Sequence, residues 1–227
     1  MHIEGETSAA NRPASIAARL WGLCKLLRPH QWVKNFVLML PALLAHKLFI
    51  GNIWHQVAWA FVSLSLSASA VYVLNDRMDY LADREHPKKK QRGFASSLVP
   101  LSWAPATVAM LSISGSLIAW SFLPISFLYG LLFYLFVTTL YTFWLKRLVI
   151  VDVLVLGGLY TLRIIIGGLA TDITVSTWLL AFSMFVFSSM AFGKRYSELL
   201  RNQKISAEND ASLKRRGYHV NDLALVQ

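Results

Sequence analysis

Apolar residues are gathered along this chain into six long stretches, at roughly 36–50, 53–74, 103–122, 124–144, 149–170 and 174–192, separated by short polar or basic segments. Each approaches or exceeds the roughly 20 residues a helix needs to cross a bilayer, so the pattern predicts an all-α, polytopic transmembrane bundle. The first stretch is short and carries Pro41, which predicts a tilted or kinked crossing. Pro105 and Pro124 fall at expected span starts, where a missing N–H costs little. Ahead of the first stretch, Ile16, Leu20, Leu23 and Leu27 recur at helical spacing with Arg19, Lys25 and Arg28 between them. That predicts an amphipathic helix on the membrane surface within an N-terminal segment, 1–35. The spans make a domain at 36–192, and a polar segment, 193–227, follows.

Composition agrees with the pattern. The chain is 56% hydrophobic and only 15% charged, too apolar for an ordinary soluble domain of 227 residues. The first 35 residues lack an apolar core followed by a small-residue cleavage site, so no secretory leader is expected. A single cysteine, Cys24, excludes an intrachain disulfide and a Cys-based zinc site. If the six spans alternate, 20 of the 22 Lys and Arg residues share one side, the exceptions being Lys47 and the intramembrane Arg163. By the positive-inside rule both termini and all the basic loops are then cytoplasmic, which in a bacterium places the chain in the inner membrane. The net charge of +10 therefore needs no nucleic-acid partner.

Acidic residues gather on that same side. In Asn75-Asp76-Arg77-Met78-Asp79-Tyr80-Leu81-Ala82-Asp83, positions 75, 79 and 83 are successive i, i+4 neighbours with Asp76 beside them, and Lys88, Lys89, Lys90 and Arg92 follow. Crowded carboxylates need a cation, and Mg²⁺ typically takes one or two carboxylates together with substrate phosphates. The plain alternative is a solvated helix end. Tyr141, Lys146 and Arg147 mark the next basic loop, and Lys194, Arg195, Tyr196 and Glu198 open the segment after the sixth stretch. Asp152 and Arg163, three helical turns apart, share a face of the fifth span. Arg163 either meets a lipid-linked phosphate or serves as a structural partner inside the bundle. Gly157 and Gly168, on one face of the same span, read as helix-packing positions, and most of the eight Trp and eight Tyr fall near expected span ends, where interfacial belts are common, so no specific role is assigned to them.

Several of these elements together resemble the UbiA superfamily of intramembrane prenyltransferases, and most of all its decaprenyl-phosphate phosphoribosyltransferase branch. They are Arg28-Pro29-His30-Gln31-Trp32-Val33-Lys34-Asn35, the Asn75 to Asp83 motif, His86-Pro87 with its trailing cations, Tyr141 to Asp152, Arg163 with the following Gly-Gly-Leu-Ala, Gly193 to Glu198, and Arg216-Gly217-Tyr218. The resemblance implies a helix bundle around a cavity with a polar mouth, usually built from nine helices where this chain has six, so the chain is expected to be either a truncated product or part of a longer protein. It also implies Mg²⁺ bound through Asn75, Asp76, Asp79 and Asp83, the three aspartates being the catalytic set. Lys34, Asn75, Lys88, Arg92, Tyr141, Lys146, Arg163, Lys194 and Arg195 would bind substrate.

Aromatic prenyltransferases of the superfamily carry a second acidic motif where this chain reads Gly193-Lys194-Arg195-Tyr196-Ser197-Glu198. That departure favours transfer of 5-phosphoribose from phosphoribosyl diphosphate to a polyprenyl phosphate. The alternatives are prenyl transfer from an isoprenyl diphosphate to an aromatic acceptor, an inactive truncated homologue, and a small transporter. Membrane lipids are expected partners, and a homo-oligomer is compatible with the sequence.

Overall fold

The computed structural model describes residues 16–85, 89–91 and 93–204. All regular structure among them is helical. Five helices are long and apolar enough to cross a membrane: α3 (Ile53–Met78), α5 (Ala104–Phe122, extended at its start by the turn Leu101–Trp103), α6 (Ile125–Phe143), α7 (Val151–Thr171) and α8 (Thr177–Lys204). They correspond to five of the six expected stretches. The segment expected to begin at 193 is continuous with its span, since α8 runs unbroken past that point.

The stretch expected at 36–50 does not form a spanning α-helix. A 3₁₀ segment, Pro29–Met39, passes directly into the short α2, Leu40–Leu44. An 11-residue 3₁₀ run is long for this poorer hydrogen-bond geometry, and tertiary partners hold it. Trp32 Nε1 donates to Ser69 Oγ at 3.0 Å, and the buried Asn35 donates through Nδ2 to Ser65 Oγ at 2.9 Å. Ser65 and Ser69 lie one turn apart on α3, so they tie the segment down as two rungs. The opposite serine pair of α3, Ser63 and Ser67, faces α5, where Ser63 Oγ donates to Gly115 O at 2.8 Å and a Cβ on Gly115 would strike Ser67. Small side chains thus let α3 sit at the centre of the bundle between close neighbours.

Gly167 performs the same service for α7. A Cβ there would run into the backbone carbonyl of Leu38, so the 3₁₀ segment and α7 meet backbone to backbone. Gly157 packs against Ser188 of α8, which bears out the packing role expected of it. An apolar core of Leu38, Leu64, Phe127, Leu131 and Ile166, all fully buried, joins the 3₁₀ segment, α3, α6 and α7. A second cluster, with Leu26, Val73, Phe94 and Val99, fixes α1 (Ile16–Leu27) against α3 and the 93–99 turn. The amphipathic helix is therefore docked on protein along Leu26 while Trp21 faces outward. The outer faces of α5 and α8 are apolar and exposed, with Trp120, Trp178, Phe182 and Phe185 among their side chains, as expected of surfaces solvated by lipid.

Because the five long helices alternate in direction, the end of α3, the α6–α7 turn and the end of α8 share one end of the bundle. Ion pairs between these elements confirm the juxtaposition. The start of α3 lies at the other end, so the chain crosses the bundle between Arg28 and Asn52.

Candidate active site

The acidic motif sits where α3 ends. Asp79 is the C-cap of α3, with φ −93° and ψ 5°, and the short α4 (Tyr80–Glu85) follows at once. The i, i+4 ladder nonetheless continues through the bend: Asp79 N–H donates to Asn75 O and Asp83 N–H to Asp79 O, each at 2.9 Å. Asn75 Nδ2 donates to Asp79 Oδ2 at 3.1 Å, which holds these two side chains together as their spacing predicted. Asp76 points elsewhere, to an ion pair with Arg28. Asp83 is buried in α4. Among the described residues no group of three or more carboxylate, imidazole or thiol side chains is close enough to hold one metal. Asp76, Asp79 and Asp83 are therefore not drawn to one point here, and Asp76 is engaged by Arg28.

Lys146 reaches this acidic edge from the three-residue helix Leu145–Arg147 between α6 and α7. Its Nζ lies 3.2 Å from Asn75 Oδ1 and 3.4 Å from Asp79 Oδ1. The ammonium thus occupies a place lined by an amide oxygen and a carboxylate, donors of the kind a hard divalent cation takes. The donor chemistry of Asn75, Asp76 and Asp79 fits Mg²⁺, provided that Lys146 and Arg28 yield. Lys88 and Arg92 lie outside the described residues. Tyr141 is half-buried in the last turn of α6, near the same end.

The neighbouring half of the site is cationic. Arg163 is buried in the middle of α7, where its guanidinium donates to Tyr134 Oη at 2.9 Å and lies over the rings of Tyr160 and Tyr134, at 4.7 and 5.4 Å from their centroids. It has no carboxylate partner among the described residues, and its buried Nε–H has no hydrogen-bond acceptor. Lys34 lies just before the apolar part of the first crossing. Lys194, Arg163 and Arg28 lie near enough to repel its ammonium, so four cations share one region. Tyrosine faces partly screen them, and Arg28 also lies over the ring of Tyr72, 5.5 Å from its centroid.

Arg195 is placed differently from Lys194. Its guanidinium is buried, paired with the fully buried Asp152 at the start of α7 and with Glu198 at 2.6 Å. Asp152 and Arg163, expected on one inward face of α7, are both buried there but serve different partners. Two backbone outliers flank the site. Arg28 adopts φ 50°, ψ 58° immediately before Pro29, and the β-branched Ile150 has φ 69° between Lys146 and Asp152. Left-handed backbone at a non-glycine residue costs about 1–2 kcal/mol, and such strain persists where surrounding contacts over-determine it. The Asp76 pair and the Tyr72 ring are such contacts for Arg28.

A family model described as the UbiA prenyltransferase family matches residues 36–200. The chain belongs to the UbiA prenyltransferase family. It is 39% identical over 207 residues to the decaprenyl-phosphate phosphoribosyltransferase of Mycobacterium tuberculosis, covering 88% of this chain and 67% of that protein. The protein of the same name from Corynebacterium glutamicum is 36% identical over 198 residues, which span 85% of this chain and 59% of the relative. Nodulation protein NoeC of Azorhizobium caulinodans is 33% identical over 219 residues, 89% of this chain and 64% of its own length. The chain therefore spans about two thirds of the length of these relatives.

Arg28, Tyr72, Tyr134 and Tyr160 were not singled out as site residues by sequence reasoning. The signal for Arg28 was its place at the head of the Arg-Pro-His run. For Tyr160 the signal is its place three residues before Arg163 on the same helix, whereas Tyr72 and Tyr134 reach the arginine region only through packing of other helices.

Proposed function

We propose that this UbiA-family chain is the catalytic part of a Mg²⁺-dependent transferase moving 5-phosphoribose from phosphoribosyl diphosphate to a polyprenyl phosphate. One observation carries the reading. An edge of oxygen donors adjoins a cationic region whose buried arginine, Arg163, lacks an anionic partner among the described residues. A buried cation without a carboxylate is costly unless an anion completes it. The names of the mycobacterial and corynebacterial relatives supply the chemical class of that anion.

Asn75, Asp76 and Asp79 would hold Mg²⁺, which when bound supplies charge neutralisation for a departing diphosphate. Lys146 sits where it can donate to the same diphosphate oxygens. The polyprenyl phosphate would place one oxygen near Arg163, Lys34 and Lys194, with its chain between the helices. That oxygen attacks ribose C1 as the C1–O bond to diphosphate breaks, and the electron pair leaves with the diphosphate. The nucleophile is already an anion, so no general base is assigned. Arg195 would act indirectly, by fixing α8 to α7 and so placing Lys194.

An isoprenyl diphosphate donor would use the acidic edge equally well but, with a neutral aromatic acceptor, would leave the Arg163 region without its anion. The test is transfer of label from phosphoribosyl diphosphate into the lipid phase by the lipid-reconstituted chain with a polyprenyl phosphate. Label that depends on Mg²⁺ and is lost in Asp79→Asn is the expected result. Absence of label in a folded sample, or undiminished label in Asp79→Asn, counts against the assignment.

A further inference from the structure

Both acidic side chains assigned to the metal already carry a protein cation: Asp76 pairs with Arg28, and Asp79 shares Lys146 with Asn75. Lys146 is only 14% exposed at its side chain and Asp79 23%, so the contact lies largely out of water, where a charge interaction is weakly screened. We infer that Lys146 is an exchangeable counter-cation, which closes the acidic edge to free metal and moves onto the diphosphate when metal and diphosphate arrive together. The inference rests on the functional reading above and adds an order of binding to it.

The reasoning is electrostatic. A free divalent cation approaching Asn75 Oδ1 and Asp79 Oδ1 meets an ammonium already hydrogen-bonded to both, so it must displace a like charge that then has no anion to receive it. A diphosphate changes the balance, because its oxygens offer Lys146 new acceptors at the moment the carboxylate is surrendered. Lysine suits this exchange better than arginine. Its charge is compact and rides on a flexible four-carbon stem, so it can shift by a few ångströms with no backbone movement. The backbone beneath it is fixed by the Leu145–Arg147 turn, in which Arg147 N–H donates to Trp144 O at 3.0 Å. Metal and diphosphate binding are then coupled, and by thermodynamic reciprocity each raises the affinity of the other by the same factor.

The experiment titrates Mn²⁺, followed by electron paramagnetic resonance, into the full chain in lipid nanodiscs, with and without saturating inorganic diphosphate and corrected for Mn²⁺ held by diphosphate in solution. The wild type is expected to bind free Mn²⁺ weakly and to gain about 30-fold or more with diphosphate. Lys146→Met should bind free Mn²⁺ about tenfold tighter than the wild type and lose most of that gain. Lys146→Gln should behave alike, which guards against a folding defect peculiar to one variant, while Lys146→Arg should keep the weak binding of free metal. Free-metal affinity unchanged or weakened in both neutral variants, while the wild type still takes up Mn²⁺ with diphosphate, overturns the exchange and leaves the functional reading standing. No Mn²⁺ bound by the wild type under either condition overturns both.

Discussion

Removing Arg195 should unfold this protein more readily than removing any other cation at the polar end. Arg195→Met deprives Asp152, a fully buried carboxylate in the first turn of α7, of its guanidinium. Breaking a buried pair from one side typically costs about 3–5 kcal/mol. Asp152 keeps the favourable field of the α7 N-terminus, worth about 0.3–1 kcal/mol, so the low end, about 3 kcal/mol, is expected. Asp152→Asn should cost less, about 1.5 kcal/mol, because Arg195 retains Glu198 at 2.6 Å. Replacing both, as Asp152→Leu with Arg195→Met, should recover most of the loss, since apolar groups of similar volume often substitute for a buried pair without penalty. Thermal unfolding in nanodiscs, followed by tryptophan fluorescence, gives the readout, and 3 kcal/mol corresponds to a fall of about 6–12 °C at this chain length. An Arg195→Met midpoint within about 2 °C of the wild type, or a double variant no better than the single, would refute the structural assignment of Arg195 and return it to the phosphate ligands.

Two further outcomes follow from the same contacts. Gly167→Ala should lower the unfolding midpoint, because its methyl meets the Leu38 carbonyl, whereas Gly158→Ala should be neutral or stabilising by about 0.5–1 kcal/mol, since nothing lies within 4 Å of its added carbon. A phosphate seated among Lys34, Arg163 and Lys194 draws on all three charges, so Lys34→Met should weaken polyprenyl phosphate affinity about tenfold. A binding titration in which Lys34→Met matches the wild type would count against that seat.

The five long helices were legible because length and apolar content alone decide whether a segment can span lipid, and the expected bounds 103–122 and 124–144 differ little from Leu101–Phe122 and Ile125–Phe143. The i, i+4 relation of Asn75, Asp79 and Asp83 was equally local and is present in the backbone ladder. What escaped is tertiary. The 3₁₀ geometry of Pro29–Met39 depends on serines of α3 that meet Trp32 and Asn35 only in the folded bundle. The side-chain directions of Asp76 and Arg195 are set by partners 48 and 43 residues away. The tyrosines around Arg163 illustrate the same limit, because Tyr134 and Tyr160 lie at the middle of α6 and α7 and meet the arginine only where those helices pack.

If two anion sites of different construction stand side by side as proposed, ligand binding to two variants will separate them. Calorimetric titration of the nanodisc-embedded protein with Mg²⁺ plus phosphoribosyl diphosphate, and separately with a polyprenyl phosphate, should show both ligands binding the wild type. Asp79→Asn should lose the first ligand and keep the second, and Arg163→Met should keep the first and lose the second. Loss of both ligands in each folded variant, or the opposite assignment of losses, would contradict the two-site account.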